Sequence, residues 1–118
     1  MFRESLQKIV DNVEGGVAGV LMGFDGIPVE TYAREAGAVD VQTVGMEFSF
    51  ILTQVRKAAE ILEVGGVREI AIKADQLTVI IRVLSEEYFV ALVLKPEGNF
   101  GKGRYLLRMV GPKMATEL

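Results

Sequence analysis

The chain has 118 residues, half of them hydrophobic and a quarter charged, with three prolines; this is the composition of one globular domain, not of a disordered segment. It contains no cysteine and no histidine, which excludes disulfides, thiolate catalysis and cysteine-ligated metal and removes the commonest general base and transition-metal ligand. The net charge of −3 argues against a general nucleic-acid binder, and no polybasic segment suggests a membrane surface.

Phe2, Leu6, Ile9, Val10 and Val13 recur at helical spacing among charged residues, so the chain is expected to open with an amphipathic helix stopped by Gly15-Gly16. Val17–Phe24 and Ile27–Arg34 read as two strands joined at Asp25-Gly26, a pair that favours the two-residue type I′ hairpin. Pro28 lies near the start of the second strand and cannot donate to a ladder, which places that strand at a sheet edge or at a bulge. Glu35–Val39 reads as a loop, and Asp40 as the N-cap of a helix running from Val41 to Val64, on the order of 35 Å long. Val44, Phe48, Leu52, Val55, Ala59 and Leu62 form its inner stripe. Met46 and Phe50 fall outside that stripe, and Gly65-Gly66 is expected to end the helix.

Three strands follow: Val67–Ala74, Leu77–Leu84 and Tyr88–Leu94. The last has no polar alternation, as expected of a central strand covered on both faces. A final amphipathic helix is expected from Lys102 or Gly103, carrying Tyr105, Leu106 and Met109, with Pro112 kinking or interrupting it. The element order is therefore α-β-β-α-β-β-β-α. The expected fold is an α/β (α+β) single domain over residues 1–118, a three-layer α/β/α sandwich around a five-stranded, mostly antiparallel sheet.

The motifs that carry chemistry are weak. Gly98-Asn99-Phe100-Gly101-Lys102-Gly103-Arg104 invites comparison with a phosphate-binding loop, but the positions that need glycine and Ser or Thr hold Pro96 and Gly103. Glu86-Glu87, Asp25 and Asp75 are turn residues, and no set of carboxylates has the spacing of a metal site. No catalytic residue, metal or cofactor is expected. Lys102, Arg104, Arg108 and Lys113 give the last helix a positive bias, read either as a solvated face or as a docking surface for an acidic partner. No segment has the pattern of a secretory signal and no apolar run reaches the length of a membrane helix, so the expected location is the cytoplasm.

Interfaces remain. Val67–Ala74 is expected at the second sheet edge with no proline or glycine inside it, and an open edge of that kind tends to pair. Two copies pairing antiparallel about Ala71 would place Glu69 opposite Lys73 and Ile70 opposite Ile72. The expected homodimer interface is Val67, Glu69, Ile70, Ala71, Ile72 and Lys73, with Met46 and Phe50 facing the partner helix or a third protein. Phe24 and Ile27 flank Asp25-Gly26; they either bury inward or form, with Asp25, a partner-binding patch.

The hairpin Val20-Leu21-Met22-Gly23-Phe24-Asp25-Gly26-Ile27-Pro28-Val29, the helix around Phe48–Leu62 and Gly101-Lys102-Gly103-Arg104 together resemble the Roadblock/dynein-light-chain family. The resemblance covers nearly the whole chain. Within the family it is most similar to the bacterial MglB- and MglC-like members, and from Met22 to Tyr32 and Phe89 to Arg108 to the MglC-like ones. It implies a homodimer with a shared sheet, acting as a non-catalytic regulator or scaffold in a polarity or motility switch built on a Ras-like GTPase. MglC-like members bind an MglB-like Roadblock protein. The long polar C-terminal extension of MglB proteins is missing here, which favours an adaptor over a direct GTPase-activating protein. A small-molecule sensor domain is the remaining alternative; it would need a cavity with convergent polar groups.

Overall fold

The apolar periods of the chain resolve into α1 (Phe2–Asp11), β1 (Gly16–Gly23), β2 (Pro28–Ala33), α2 (Val41–Leu62), β3 (Glu69–Lys73), β4 (Thr78–Val83), β5 (Tyr88–Leu94) and α3 (Phe100–Thr116). The computed structural model describes residues 1–37 and 39–118; Ala38, within the expected loop, lies outside them. All strand pairs are antiparallel, in the order β2-β1-β5-β4-β3. Pro28 therefore sits on an edge strand and β5 at the centre, as the sequence predicts.

β5 explains the layering. Val90, Leu92 and Leu94 point to one face, against Leu6, Ile9 and Val10 of α1 and Leu107 and Met114 of α3. Phe89, Ala91 and Val93 point to the other, where Leu52 of α2 joins Val20 and Met22 of β1. All six are essentially inaccessible to solvent, and each large side chain so buried contributes roughly 1.5–3 kcal/mol. α1 and α3 share one layer and α2 forms the other.

Several boundaries differ from the sequence reading, each for a local reason. α1 stops at Asp11, before the glycine pair, because Asn12 becomes its C-cap and its side-chain amide donates to the Lys8 carbonyl (2.7 Å). Gly15 and Gly16 instead turn the chain into β1. Gly15 has φ +82°, and side chains there would meet Gly98 Cα at 2.6 Å and Val10 O at 2.2 Å, respectively. The hairpin is not a two-residue type I′ turn. Gly23 N–H donates to Ile27 O and Gly26 N–H to Gly23 O, enclosing Phe24-Asp25-Gly26. Of the two residues proposed for the turn, only Gly26 has positive φ, the pattern of a three-residue loop with glycine at its left-handed position.

α2 starts on Asp40, whose carboxylate accepts from Thr43 N–H and Thr43 Oγ1. It ends on Glu63, left-handed at φ 56°, two residues before Gly65. α3 starts earlier than expected, on Asn99, whose side chain accepts from Lys102 N–H (3.0 Å). It also runs through Pro112 to Thr116. Gly111 and Met114 are buried against the core on either side of the proline, so packing holds the turn that the missing N–H weakens.

A polar clamp fixes α1 to the β2 edge. Tyr32 Oη lies 2.9 Å from both carboxylate oxygens of Asp11 and donates to that carboxylate. Arg34 Nε approaches the same group at 3.7 Å. The hydrogen bond to Asp11, then desolvation, then the Asp11 charge raise the Tyr32 phenol above its ordinary 10.0. The folded state thus favours the neutral phenol. The clamp's contribution is complete below the unfolded value and is lost as pH rises through the folded one. In denaturant titrations, the stability gap between wild type and Tyr32→Phe is expected to stay constant from about pH 7 to 9 and to shrink above about pH 10.

Candidate functional site

β3 closes one side of the sheet and, among the described residues, no strand is hydrogen-bonded to its outer side. Val83 N–H donates to Arg68 O (2.9 Å) and Ala74 N–H to Leu77 O (2.8 Å). Residues 68, 70, 72 and 74 therefore spend their peptide groups on β4. By antiparallel alternation the N–H and C=O groups of Glu69, Ala71 and Lys73 point away from the sheet. Ala71 is exposed. In a pairing centred on Ala71, those same three residues would form the hydrogen-bonded pairs, in the register that the side-chain pattern predicts.

The charged side chains of this edge are already engaged within the protomer. Glu69 Oε2 accepts from Arg104 at 2.7 and 2.9 Å. Lys73 Nζ lies 4.2 Å from the centroid of Phe100. Both partners belong to α3, so the charged side of β3 is pre-ordered against that helix. The opposite side carries Ile70, packed on the core beneath α2, and by alternation Ile72.

Met46 and Phe50 lie on the outer side of α2, 47% and 64% exposed. Ile61 continues their row and is 81% exposed; the sequence reading passed over it, although it lies eleven residues from Phe50, three helical turns on. Leu62, assigned to the inner stripe, is 69% exposed. α2 lies over β1 and β2, so its last turn leaves the core. An open groove of about 1090 Å³ separates that turn from the β3–β4 side, lined by Ala59, Glu63, Val67, Arg68 and Arg82 among others. Val67 thus borders the groove as well as the edge.

At the hairpin tip the three expected residues part company. Phe24 turns inward, edge-on to Phe89 with centroids 5.4 Å apart. The Arg56 guanidinium caps its outer face at 3.9 Å and donates to Glu86 O (3.0 Å), tying α2 to the β4–β5 turn. Asp25 accepts from Ile27 N–H (3.0 Å) and shapes the loop. Ile27 is 64% exposed, with Val29 also exposed beside it. Gly26 lies against α2, where a side chain would come 3.7 Å from Met46 Cγ. The tip and the outer face of α2 are therefore one continuous surface joined at Met46.

No family model matches the sequence, and no curated protein does. Among solved structures, MglC from Myxococcus xanthus is 42% identical over 99% of this chain and 98% of its own, with a TM-score of 0.72. The chain belongs to the Roadblock family and is MglC-like. The fold is shared more widely: a Roadblock/LC7 domain from Streptomyces avermitilis superposes with a TM-score of 0.86 at 15% identity, covering 98% of this chain and 95% of that one. The gliding protein MglB from Thermus thermophilus does so with 0.84 at 13% identity, covering 98% and 88%.

The surface combines a backbone edge, apolar side chains, a shaped loop and the charged groups that line the groove. Among the described residues there is no group of three or more acidic side chains that could hold a metal, and no helix is long and apolar enough to cross a membrane. Folding and docking are separable at the tip. Phe24→Ala is expected to lose about 1–2 kcal/mol through its aromatic and cation–π contacts. Ile27→Glu is expected to stay within about 0.5 kcal/mol of wild type. Chemical denaturation distinguishes the two.

Proposed function

We propose that this chain is a non-catalytic adaptor in a polarity or motility switch governed by an MglA-like GTPase. It acts as a homodimer that binds an MglB-like Roadblock regulator and so touches the GTPase indirectly. The observation that carries this reading is the open β3 edge, whose outward peptide groups at Glu69, Ala71 and Lys73 suit a two-fold strand pairing. The 42% identity to MglC supports placing the chain in that system. In the pairing, Ile70 meets Ile72 across the axis, each such pair being worth about 0.2–1 kcal/mol. The α2 helices of the two copies then lie on one face of the joined sheet, with Met46 and Phe50 facing a third protein beside the hairpin tip. Ile27, Asp25 and the neighbouring Val29 form the docking patch for the MglB-like protein, while Phe24 supports it from below.

Ala71→Pro tests the dimer without breaking the protomer. The Ala71 N–H points outward, so its loss costs no bond within the sheet, and an edge strand tolerates proline. Light scattering is expected to give twice the 12.9 kDa protomer mass for wild type and the protomer mass for the variant. A dimer that survives the substitution would remove the β3 edge from the interface. With the dimer established, Ile27→Glu is expected to weaken binding to an MglB-like protein at least tenfold while leaving the mass unchanged. Added alone to an MglA-like GTPase, the chain is expected not to accelerate GTP turnover; acceleration would favour direct activation.

A further inference from the structure

The positive bias of α3 takes a definite form in three dimensions. α3 carries Lys102, Arg104, Arg108 and Lys113 and no carboxylate, in a chain of net charge −3; the remainder of the chain therefore carries −7. At 100° per residue, Gly103, Leu107, Val110 and Met114 fall on the inner side, where all are buried. The outer side has Gly101, Tyr105, Met109 and Pro112 along its middle. Arg104 and Arg108 lie along one flank of that strip and Lys102 and Lys113 along the other. Tyr105 and Met109 are each 53% exposed. Among the described residues Lys102, Arg108 and Lys113 have no ion-pair partner, while Arg104 is held by Glu69.

We propose that this face of α3 docks an acidic protein segment whose apolar or aromatic anchor lies on Tyr105 and Met109 while its carboxylates meet the two cationic flanks. Charge complementarity selects the occupant. A strip about 20 Å long with cations on both sides matches a short helix or extended peptide bearing Asp or Glu on either side of its anchor. A membrane surface is the poorer match: stable peripheral binding calls for a denser basic cluster or a deeper apolar wedge. The site is distinct from the hairpin tip and from the outer face of α2, since α3 lies in the opposite layer of the sandwich.

The test is selection of a random-peptide phage library on the full chain, followed by fluorescence anisotropy of the selected peptides. Enriched sequences are expected to hold Asp or Glu around an aromatic or aliphatic residue. They are expected to bind wild type at least tenfold more tightly than Lys102→Glu/Arg108→Glu/Lys113→Glu, and to weaken as salt is raised. Arg108→Glu and Tyr105→Ala alone are expected to weaken them several-fold, which keeps the outcome readable if the triple variant folds poorly. Ile27→Glu is expected to bind them as wild type does, so a failure at the hairpin tip stays distinguishable. Selection of neutral or basic peptides, or acidic peptides indifferent to every α3 variant, overturns the proposal. So does sedimentation of wild type but not the triple variant with phosphatidylserine vesicles, which would assign the face to lipid.

Discussion

β5 has no side chain that tolerates water between Phe89 and Leu94, and the architecture follows from hiding both of its faces. A strand of this kind must be central, with hydrogen-bonded neighbours on both sides and a helical layer above and below. β1 and β4 take the flanking positions, which leaves β2 and β3 at the rims. The chain must then cross from one rim to the other between β2 and β3, and α2 makes that crossing. Both open features of the molecule, the β3 edge and the outer face of α2, arise from that route.

The two rims are treated differently. β2 begins at Pro28, contains a register shift opposite Leu21 and Met22, and is tied to α1 through Tyr32 and Asp11. These devices discourage strand addition. β3 has no proline and, among the described residues, no register shift. Its outward peptide groups are unspent, and its charged side chains are steadied by Arg104 and Phe100 of α3. An edge whose side chains are pre-ordered loses less conformational freedom when it pairs. Arg56 plays a comparable part on α2, where one guanidinium covers Phe24 and holds the β4–β5 turn. The exposed Ile27 is thus presented on a rigid support rather than on a loose loop.

The two helical layers divide the surface by chemistry. On the α2 side, Met46, Phe50, Ile61 and Ile27 offer apolar contact that suits another folded protein. On the α3 side, a narrow apolar strip lies between cations in a chain that is otherwise acidic. The sheet separates the two, so occupation of one does not obstruct the other. On the proposed reading, a protomer of 118 residues could therefore carry two partners at once.

Local pattern was enough to order the elements, to put β5 in the middle and Pro28 at a rim, and to cap α2 on Asp40, because period, turn chemistry and capping are properties of neighbouring residues. The open β3 edge was legible for the same reason: strand length and connection length leave few topologies. The Asn99 cap was not anticipated, because its neighbouring glycines made the segment read as loop. What lay beyond the sequence depended on residues distant along the chain. Leu62 fits the inner stripe of α2 by period, yet the helix outruns the core there. Phe24 and Ile27 look equivalent beside their turn, yet Phe89 and Arg56 draw one in while the other stays out. The sequence pairs Glu69 with Lys73 of a second copy, but it does not reveal that α3 lies beside both. Sequence periodicity determines which side of an element is apolar; only tertiary packing decides where along its length that side is covered, since cover is supplied by atoms from elsewhere in the chain.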